Sequence, residues 1–119
     1  MEPIPYYYDH VNRSAILVKA RQPWYDWINN IYPDSPTTES SREPNVYLIK
    51  TKDNNQVLLN WIKIHFDEIF QNELNDWHID ENDWPQKRTF TMFKLWFEFE
   101  VCGRVLDMED SRNHFVKKC

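Results

Sequence analysis

The densest group of chemically capable side chains in this chain is the segment Asp76–Pro85. It holds four carboxylates, two tryptophans and one histidine. Across the wider range Asp67–Asp83 there are seven Asp or Glu residues and no Lys or Arg, in a chain whose net charge is −5. Unpaired carboxylates are costly to bury. The segment must therefore be solvated, bind a cation, or face a basic partner.

Oxygen and nitrogen ligands for a metal ion are present in the segment. They are Asp76, His78, Asp80 and Asp83. The calcium-loop pattern also requires a glycine in its sharp turn, and this segment has none. We therefore predict no metal site and no cofactor. The simplest interpretation is a solvated acidic loop that follows a helix.

A protein-binding surface is the functional interpretation of the same residues. Tryptophans beside charges resemble an interface anchor inside a polar rim, although Trp77 and Trp84 could equally pack onto the domain. The predicted surface comprises Asp76, Trp77, His78, Asp80, Glu81, Asp83, Trp84 and Arg88. We expect Arg88 to fold back onto Asp80, Asp83 or Glu73 and partly neutralise the segment.

Catalytic groups are sparse in this sequence. His65, His78 and Asp107 are weak candidates for acid–base chemistry. His65 lies in the apolar stripe of a predicted helix, so we expect a core histidine bonded to a backbone carbonyl or a buried carboxylate, with a general base as the alternative. Cys102 lies near glutamates, which disfavour a reactive thiolate. The chain is thus more simply a binding protein than an enzyme.

Several function classes conflict with the composition. A single glycine, Gly103, cannot build the glycine-rich loops of common nucleotide-binding folds. A net charge of −5 without a long basic stretch argues against direct nucleic-acid binding. No apolar run reaches membrane-spanning length, and no secretory signal is recognisable. With only two cysteines, we expect a reducing, cytoplasmic location. The oligomeric state stays open.

The elements that must position these residues follow from hydrophobic periodicity. Ser14–Ala20 and Asn45–Thr51 are apolar on both faces and predict strands, the first of them interior. A helix is predicted from Pro23, with Trp24, Trp27, Ile28 and Ile31 on one face, and a second helix runs to about Leu74. Thr89 can cap a short third helix. From Phe97 the alternation with Glu98 and Glu100 predicts an edge strand that ends near Asp107.

These elements give the order β-α-β-α-α-β, which predicts a single α/β (α+β) domain in which helices cover a small sheet. The domain should span residues 14–108. Residues 1–13 read as an extended lead-in with Pro3 and Pro5, and residues 109–119 as a polar tail.

Several stretches resemble a family of small bacterial proteins with no established activity. They include Asn12-Arg13-Ser14-Ala15-Ile16-Leu17-Val18, Arg42-Glu43-Pro44-Asn45-Val46-Tyr47-Leu48-Ile49 and, most specifically, Trp84-Pro85-Gln86-Lys87-Arg88-Thr89-Phe90. The resemblance covers roughly residues 12–108. It implies a bacterial, soluble, single-domain protein and supplies no catalytic residue.

Our prediction is a cytoplasmic domain that binds another protein, basic if charge drives the contact, through the surface around Asp76–Arg88. One alternative is a small enzyme or ligand-binding domain whose cleft gathers His65 or His78 with Asp80, Asp83 or Asp107. The other is an acidic inhibitor or immunity-type protein that neutralises a basic partner.

Overall fold

A computed structural model describes residues 10–39 and 42–109 of the chain. Its elements are β1 His10–Val11, β2 Arg13–Ala20, α1 Gln22–Ile31, β3 Asn45–Lys50, α2 Asn55–Asn75, a 3-10 turn Glu81–Asp83, α3 Phe90–Trp96, β4 Phe97–Cys102 and β5 Val105–Leu106. The predicted α+β fold is confirmed, with the predicted order running from β2 to β4. The lead-in up to residue 9 and the tail from residue 110 lie outside the described residues.

The main sheet is antiparallel and has β2 at its centre, in the order β3-β2-β4. Ile16 lies opposite Tyr47 on one side and Val101 on the other. Ile16 and Val18 of β2 face the helices and are fully buried, whereas Leu17, on the opposite face of the sheet, is half-buried. β4 is an edge strand with Glu98 and Glu100 exposed, as its alternation predicts.

A second, two-stranded sheet was not predicted. Val11 of β1 pairs with Val105 of β5, so the chain after β4 turns back toward its own beginning. Strands of two residues carry too little periodicity to be recognised in a sequence. The edge strand predicted to end near Asp107 ends at Cys102 instead, and β5 follows after a bend.

The helices begin where the sequence offers caps. Asn54 Oδ1 accepts a hydrogen bond from Val57 N–H at the start of α2 (2.9 Å), and Thr89 Oγ1 accepts one from Met92 N–H at the start of α3 (3.1 Å). In α1 the cap residue makes no side-chain bond, and Pro23 occupies the first turn. None of the helices in the described part of the chain is both long and apolar enough to cross a lipid bilayer.

Large aromatic rings fill the space between the helices and one face of the sheet. Phe70 of α2 meets Phe97 of β4 edge to face at 5.2 Å between ring centres, and Phe93 of α3 lies 5.3 Å from Phe97. Offset and edge-on contacts of this kind are the favourable arrangements of aromatic pairs. The core residues include Ile16, Val18, Trp24, Ile28, Leu58, Ile62, Ile69, Leu74 and Trp84.

One carboxylate lies inside this core. Glu73, in the last turns of α2, is fully buried and is hydrogen-bonded by Arg42 through one oxygen and by Tyr47 through the other. Asn45 Nδ2 also donates to Oε2 of Glu73 (2.7 Å). The Arg42 guanidinium lies 4.3 Å from the centre of the Trp24 ring. The network joins α2, β3 and the segment before β3.

Removing Arg42 should leave the Glu73 charge buried without its cation. We expect Arg42→Met to lower the free energy of unfolding by about 3–5 kcal/mol. Lys19→Met is the matched control, because Lys19 makes an exposed ion pair with Glu39 (3.4 Å) and should cost about 1 kcal/mol or less. Urea unfolding followed by circular dichroism measures both. Equal losses in the two variants would contradict the role given to Arg42.

Burial and the neighbouring Glu73 carboxylate raise the pKa of Tyr47 above its ordinary value of 10.0. A folded-state pKa above the unfolded one means that folding stability is complete below pH 10 and falls as pH rises toward the folded value. We therefore expect the free energy of unfolding to decline above pH 10, and to decline less in Tyr47→Phe. Burial also raises the pKa of Tyr25, but Tyr25 is present in both proteins. Parallel pH slopes in the two proteins would refute the assignment.

Candidate functional site

The predicted surface centres on residues 76–85, here called the acidic loop, which leaves the end of α2 in a defined path. Trp77 N–H and His78 N–H both donate to Leu74 O (3.1 and 3.0 Å). Asp80 Oδ1 then accepts a hydrogen bond from Asn82 N–H (3.0 Å) and caps the 3-10 turn. These bonds satisfy backbone groups that a helix end would otherwise leave to solvent. The loop is therefore ordered although it is polar.

Two tryptophan side chains attach the acidic loop to the core. Trp84 is buried, and its indole Nε1–H donates to His78 O (2.7 Å). Trp27, from α1, donates its indole N–H to Asp83 O (2.9 Å). Both indole N–H groups thus satisfy backbone carbonyl groups of the acidic loop. Trp84 thus belongs to the core and is not available as an interface anchor.

His78 connects the loop to the end of α1. Its Nδ1 lies 2.7 Å from the Tyr32 hydroxyl, and its Nε2 lies 2.7 Å from Asp83 Oδ2. With Asp83 ionised, Nε2–H donates to the carboxylate, and the Nδ1 of a neutral ring accepts from Tyr32 O–H. The ring also meets Trp27 edge to face at 6.3 Å.

An Asp–His–hydroxyl chain is an arrangement that acid–base catalysis uses, in which the carboxylate orients the imidazole and the imidazole accepts a proton from the hydroxyl. The same two bonds also fix the position of the loop relative to α1. His65 is not part of this hydrogen-bonded chain of Asp83, His78 and Tyr32. Asp107 follows β5, and its Oδ1 accepts a hydrogen bond from Glu109 N–H (2.9 Å). Of the three weak catalytic candidates, only His78 contacts Asp83.

His78, Asp80 and Asp83 also place one ligand atom each within 4.8 Å of the others. A nitrogen and two carboxylate oxygens are ligands that several divalent cations accept. However, Nε2 of His78 is already bonded to Asp83, and Asp80 Oδ1 already caps the 3-10 turn. A cation would have to replace these internal bonds, so the geometry serves the loop's own structure first.

Of the two tryptophans in the acidic loop, Trp84 is buried and Trp77 is half-exposed, with 38% of its surface accessible. Its ring packs edge to face on Trp24 at 5.4 Å, and the Arg42 guanidinium lies 5.8 Å from its centre. The outer edge of the indole remains open to solvent. Trp77 therefore covers the Glu73–Arg42 pair on one side and presents an apolar edge on the other.

Ile79 is the most exposed large apolar side chain of the described residues, at 79%. It lies in the acidic loop between His78 and Asp80, and the loop also contains the exposed residues Asp76, Asp80, Glu81 and Asp83. Ile79 was not among the predicted site residues. A lone isoleucine in a polar stretch gives no sequence signal, since a single apolar residue has no periodicity.

The expectation for Arg88 was wrong. Its guanidinium binds Asp67 of α2 through both carboxylate oxygens (Nε to Oδ1 2.6 Å, Nη2 to Oδ2 3.2 Å) and donates to Pro85 O (2.8 Å). Asp80, Asp83 and Glu73 are therefore not its partners. The Arg88 bond lowers the pKa of Asp67. The acidic loop keeps its negative charge, because the Arg88 guanidinium pairs with Asp67 of α2 and not with a carboxylate of the loop.

The expectation of a core histidine at position 65 was also wrong. The His65 ring stacks on Trp61 at 4.4 Å, with 39% of its side chain exposed. Its Nδ1 lies 3.2 Å from the carboxylate of Glu68, which is itself exposed. The core covers only one side of α2. The apolar stripe predicted for this helix wrongly included His65, which lies outside the covered side.

Comparisons with known proteins add no relative: no family model, curated protein or solved structure matches this chain.

The Asp67–Arg88 pair should be visible in acid unfolding. A folded-state pKa below the ordinary value of 3.8 means that the pair stabilises the protein above that pH and that the contribution is lost as pH falls through the folded value. We expect Asp67→Asn to flatten the loss of stability between about pH 5 and about pH 2, by less than about 1 kcal/mol because the pair is partly exposed. Glu98→Gln, which removes an exposed carboxylate, is the control and should leave the slope unchanged.

Proposed function

We propose that this chain is a protein-binding domain whose acidic loop contacts a basic segment of another protein. The observation that carries the proposal is Ile79, which is 79% exposed in a loop that also holds four exposed carboxylates. An apolar side chain inside a polar rim is the arrangement found at the centre of protein interfaces. Trp77 adds an indole edge beside it.

The order of the loop supports this proposal. His78 and Asp83 are held by hydrogen bonds from Tyr32 and Trp27, which lie outside the loop, and His78 also by a bond from the buried indole of Trp84 within the loop. A loop that is already in its binding conformation loses little conformational entropy when a partner arrives. The exposed position of Ile79 is thus maintained against the tendency of an apolar side chain to fold inward.

Charge determines the kind of partner. The carboxylates of Asp76, Asp80, Glu81 and Asp83 create a negative field that speeds the approach of Lys- or Arg-containing segments and disfavours acidic ones. A regulatory partner and a basic toxin would use the same contacts. Measuring the activity of a captured partner with and without this protein separates accessory binding from inhibition. A reducing, cytoplasmic setting is part of the proposal, and the free thiol of Cys102 is compatible with it.

Removal of the apolar anchor is the direct test. We expect Ile79→Ser to weaken binding of a partner captured from host lysate by about tenfold or more, because the centre of an interface carries most of its energy. Ile64→Ser is the matched control, since Ile64 lies on α2 and is 75% exposed. Captured proteins are identified by mass spectrometry, and their dissociation constants are then measured by titration calorimetry.

A second variant, Glu81→Gln, tests the electrostatic contribution to partner binding. Glu81 is exposed, and its side chain is not used by the bonds that hold the loop, so Glu81→Gln should slow association and reduce its salt dependence without unfolding the loop. A partner that binds Ile79→Ser and Glu81→Gln as tightly as the natural chain would rule out the acidic loop as the interface.

A further inference from the structure

The two edges of the main sheet differ in chemistry. The outer edge strand β4 presents Glu98 and Glu100, which discourage another strand from pairing there. The opposite edge strand β3 presents Val46 and Leu48, exposed at 60% and 56%. Within residues 10–39 and 42–109, β3 pairs only with β2. An apolar edge strand with unpaired backbone groups is a template for strand addition.

The two ends of β3 carry opposite charges. Glu43 is exposed just before the strand, whereas Lys50 ends it and Lys52 follows. Arg42 does not offset Glu43, because it is buried against Glu73. Among the described residues no carboxylate lies within ion-pair distance of Lys50 or Lys52. The edge is therefore negative where the strand begins and positive where it ends.

We propose that a second copy of this chain occupies this edge, with β3 pairing antiparallel to β3 of the copy around a two-fold axis. The antiparallel arrangement brings the lysine end of each strand to the glutamate end of the other. A parallel arrangement would bring like charges together. Self-complementarity of this kind is what a two-fold interface requires. The product is one continuous six-stranded sheet.

The side-chain pattern specifies the register. In β3, Tyr47 shares the helix-covered face with Ile16, its partner across the sheet, and Val46 and Leu48 lie on the opposite face. Residues directly opposite in an antiparallel pair have their side chains on the same face. We place Tyr47 opposite its own symmetry mate, because this register puts Val46 opposite Leu48 of the partner subunit. Both exposed apolar side chains gain an apolar neighbour.

A groove beside the strand enlarges the contact. It has a volume of about 530 Å³ and lies between β3 and α2, with Tyr47, Trp61 and Ile69 among its lining residues. Pairing of six residues alone buries less than the roughly 1,200–2,000 Å² of a stable interface. The groove is continuous with the edge, so an approaching copy covers both. The interface shares no residue with the acidic loop, and the inference does not depend on the proposed function.

Sedimentation equilibrium of the full chain from micromolar to millimolar concentration tests the inference. We expect a reversible transition from the 14.7 kDa of one chain to twice that mass. Leu48→Lys should raise the dissociation constant about tenfold or more, since it places a charge in the centre of the pairing. Leu95→Lys is the matched control, because Leu95 lies on α3 at 62% exposure and should leave the constant unchanged.

Charge reversal tests the antiparallel arrangement. Lys50→Glu and Glu43→Lys should each weaken the dimer several-fold, and the double variant should restore it, because the two changes exchange the charged ends. Amide hydrogen exchange provides the local readout. Exchange along residues 45–50 should slow as protein concentration rises, in the natural chain and in Leu95→Lys but not in Leu48→Lys.

Three results would overturn the inference. One is a chain that stays monomeric at millimolar concentration, which leaves the edge for a strand of a different protein. Another is a dimer that forms without slower exchange in β3. The third is protection of β3 that does not change with concentration, which means that the chain covers this edge with its own residues.

Discussion

The buried carboxylate of Glu73 is the constraint on which the arrangement of the elements depends. A charge without solvent must be matched by donors, and no single element supplies them. Arg42 comes from the segment before β3, Asn45 and Tyr47 come from β3, and Glu73 itself is near the end of α2. The three parts can satisfy the carboxylate only in one relative position. The network therefore sets where β3 begins beside α2.

The position of the acidic loop follows from the same network. Asp76, at the C-cap of α2, accepts a hydrogen bond from Asn45 (3.3 Å), and Trp77 packs over the Trp24 ring that also faces Arg42. Beyond Trp77, the contacts of His78 and Trp84 return the chain to the core. Asp76, Asp80 and Asp83 each have an internal hydrogen-bond partner and are still exposed, and Ile79 between them is open to solvent.

The domain thus offers two surfaces of different origin. In the acidic loop, internal hydrogen bonds hold an apolar side chain and its charged surroundings toward solvent. At β3 the exposed surface arises because the sheet ends there, with backbone groups and Val46 and Leu48 not covered by the described chain. The two surfaces also differ in charge: the loop is negative, whereas the strand edge is negative at one end and positive at the other.

The local features of the fold could be read from the sequence. β2 is apolar on both faces and became the central strand, while the alternation of β4 identified an edge, and Thr89 caps its helix as predicted. All of these depend on residues close together in the chain, where periodicity and capping chemistry act. The negative charge of the acidic loop was equally visible.

Which charges meet was decided by the tertiary structure. Arg88 reaches Asp67 across 21 residues and Arg42 reaches Glu73 across 31, and several other acids were available to each in the sequence. The choice depends on which side of α2 faces each arginine, and therefore on how the sheet and helices pack. The same packing buried Trp84, left Trp77 half-exposed and turned Ile79 outward. Composition determined that an acidic, aromatic segment exists, and long-range packing determined which of its side chains are exposed, because exposure is a property of the assembled surface.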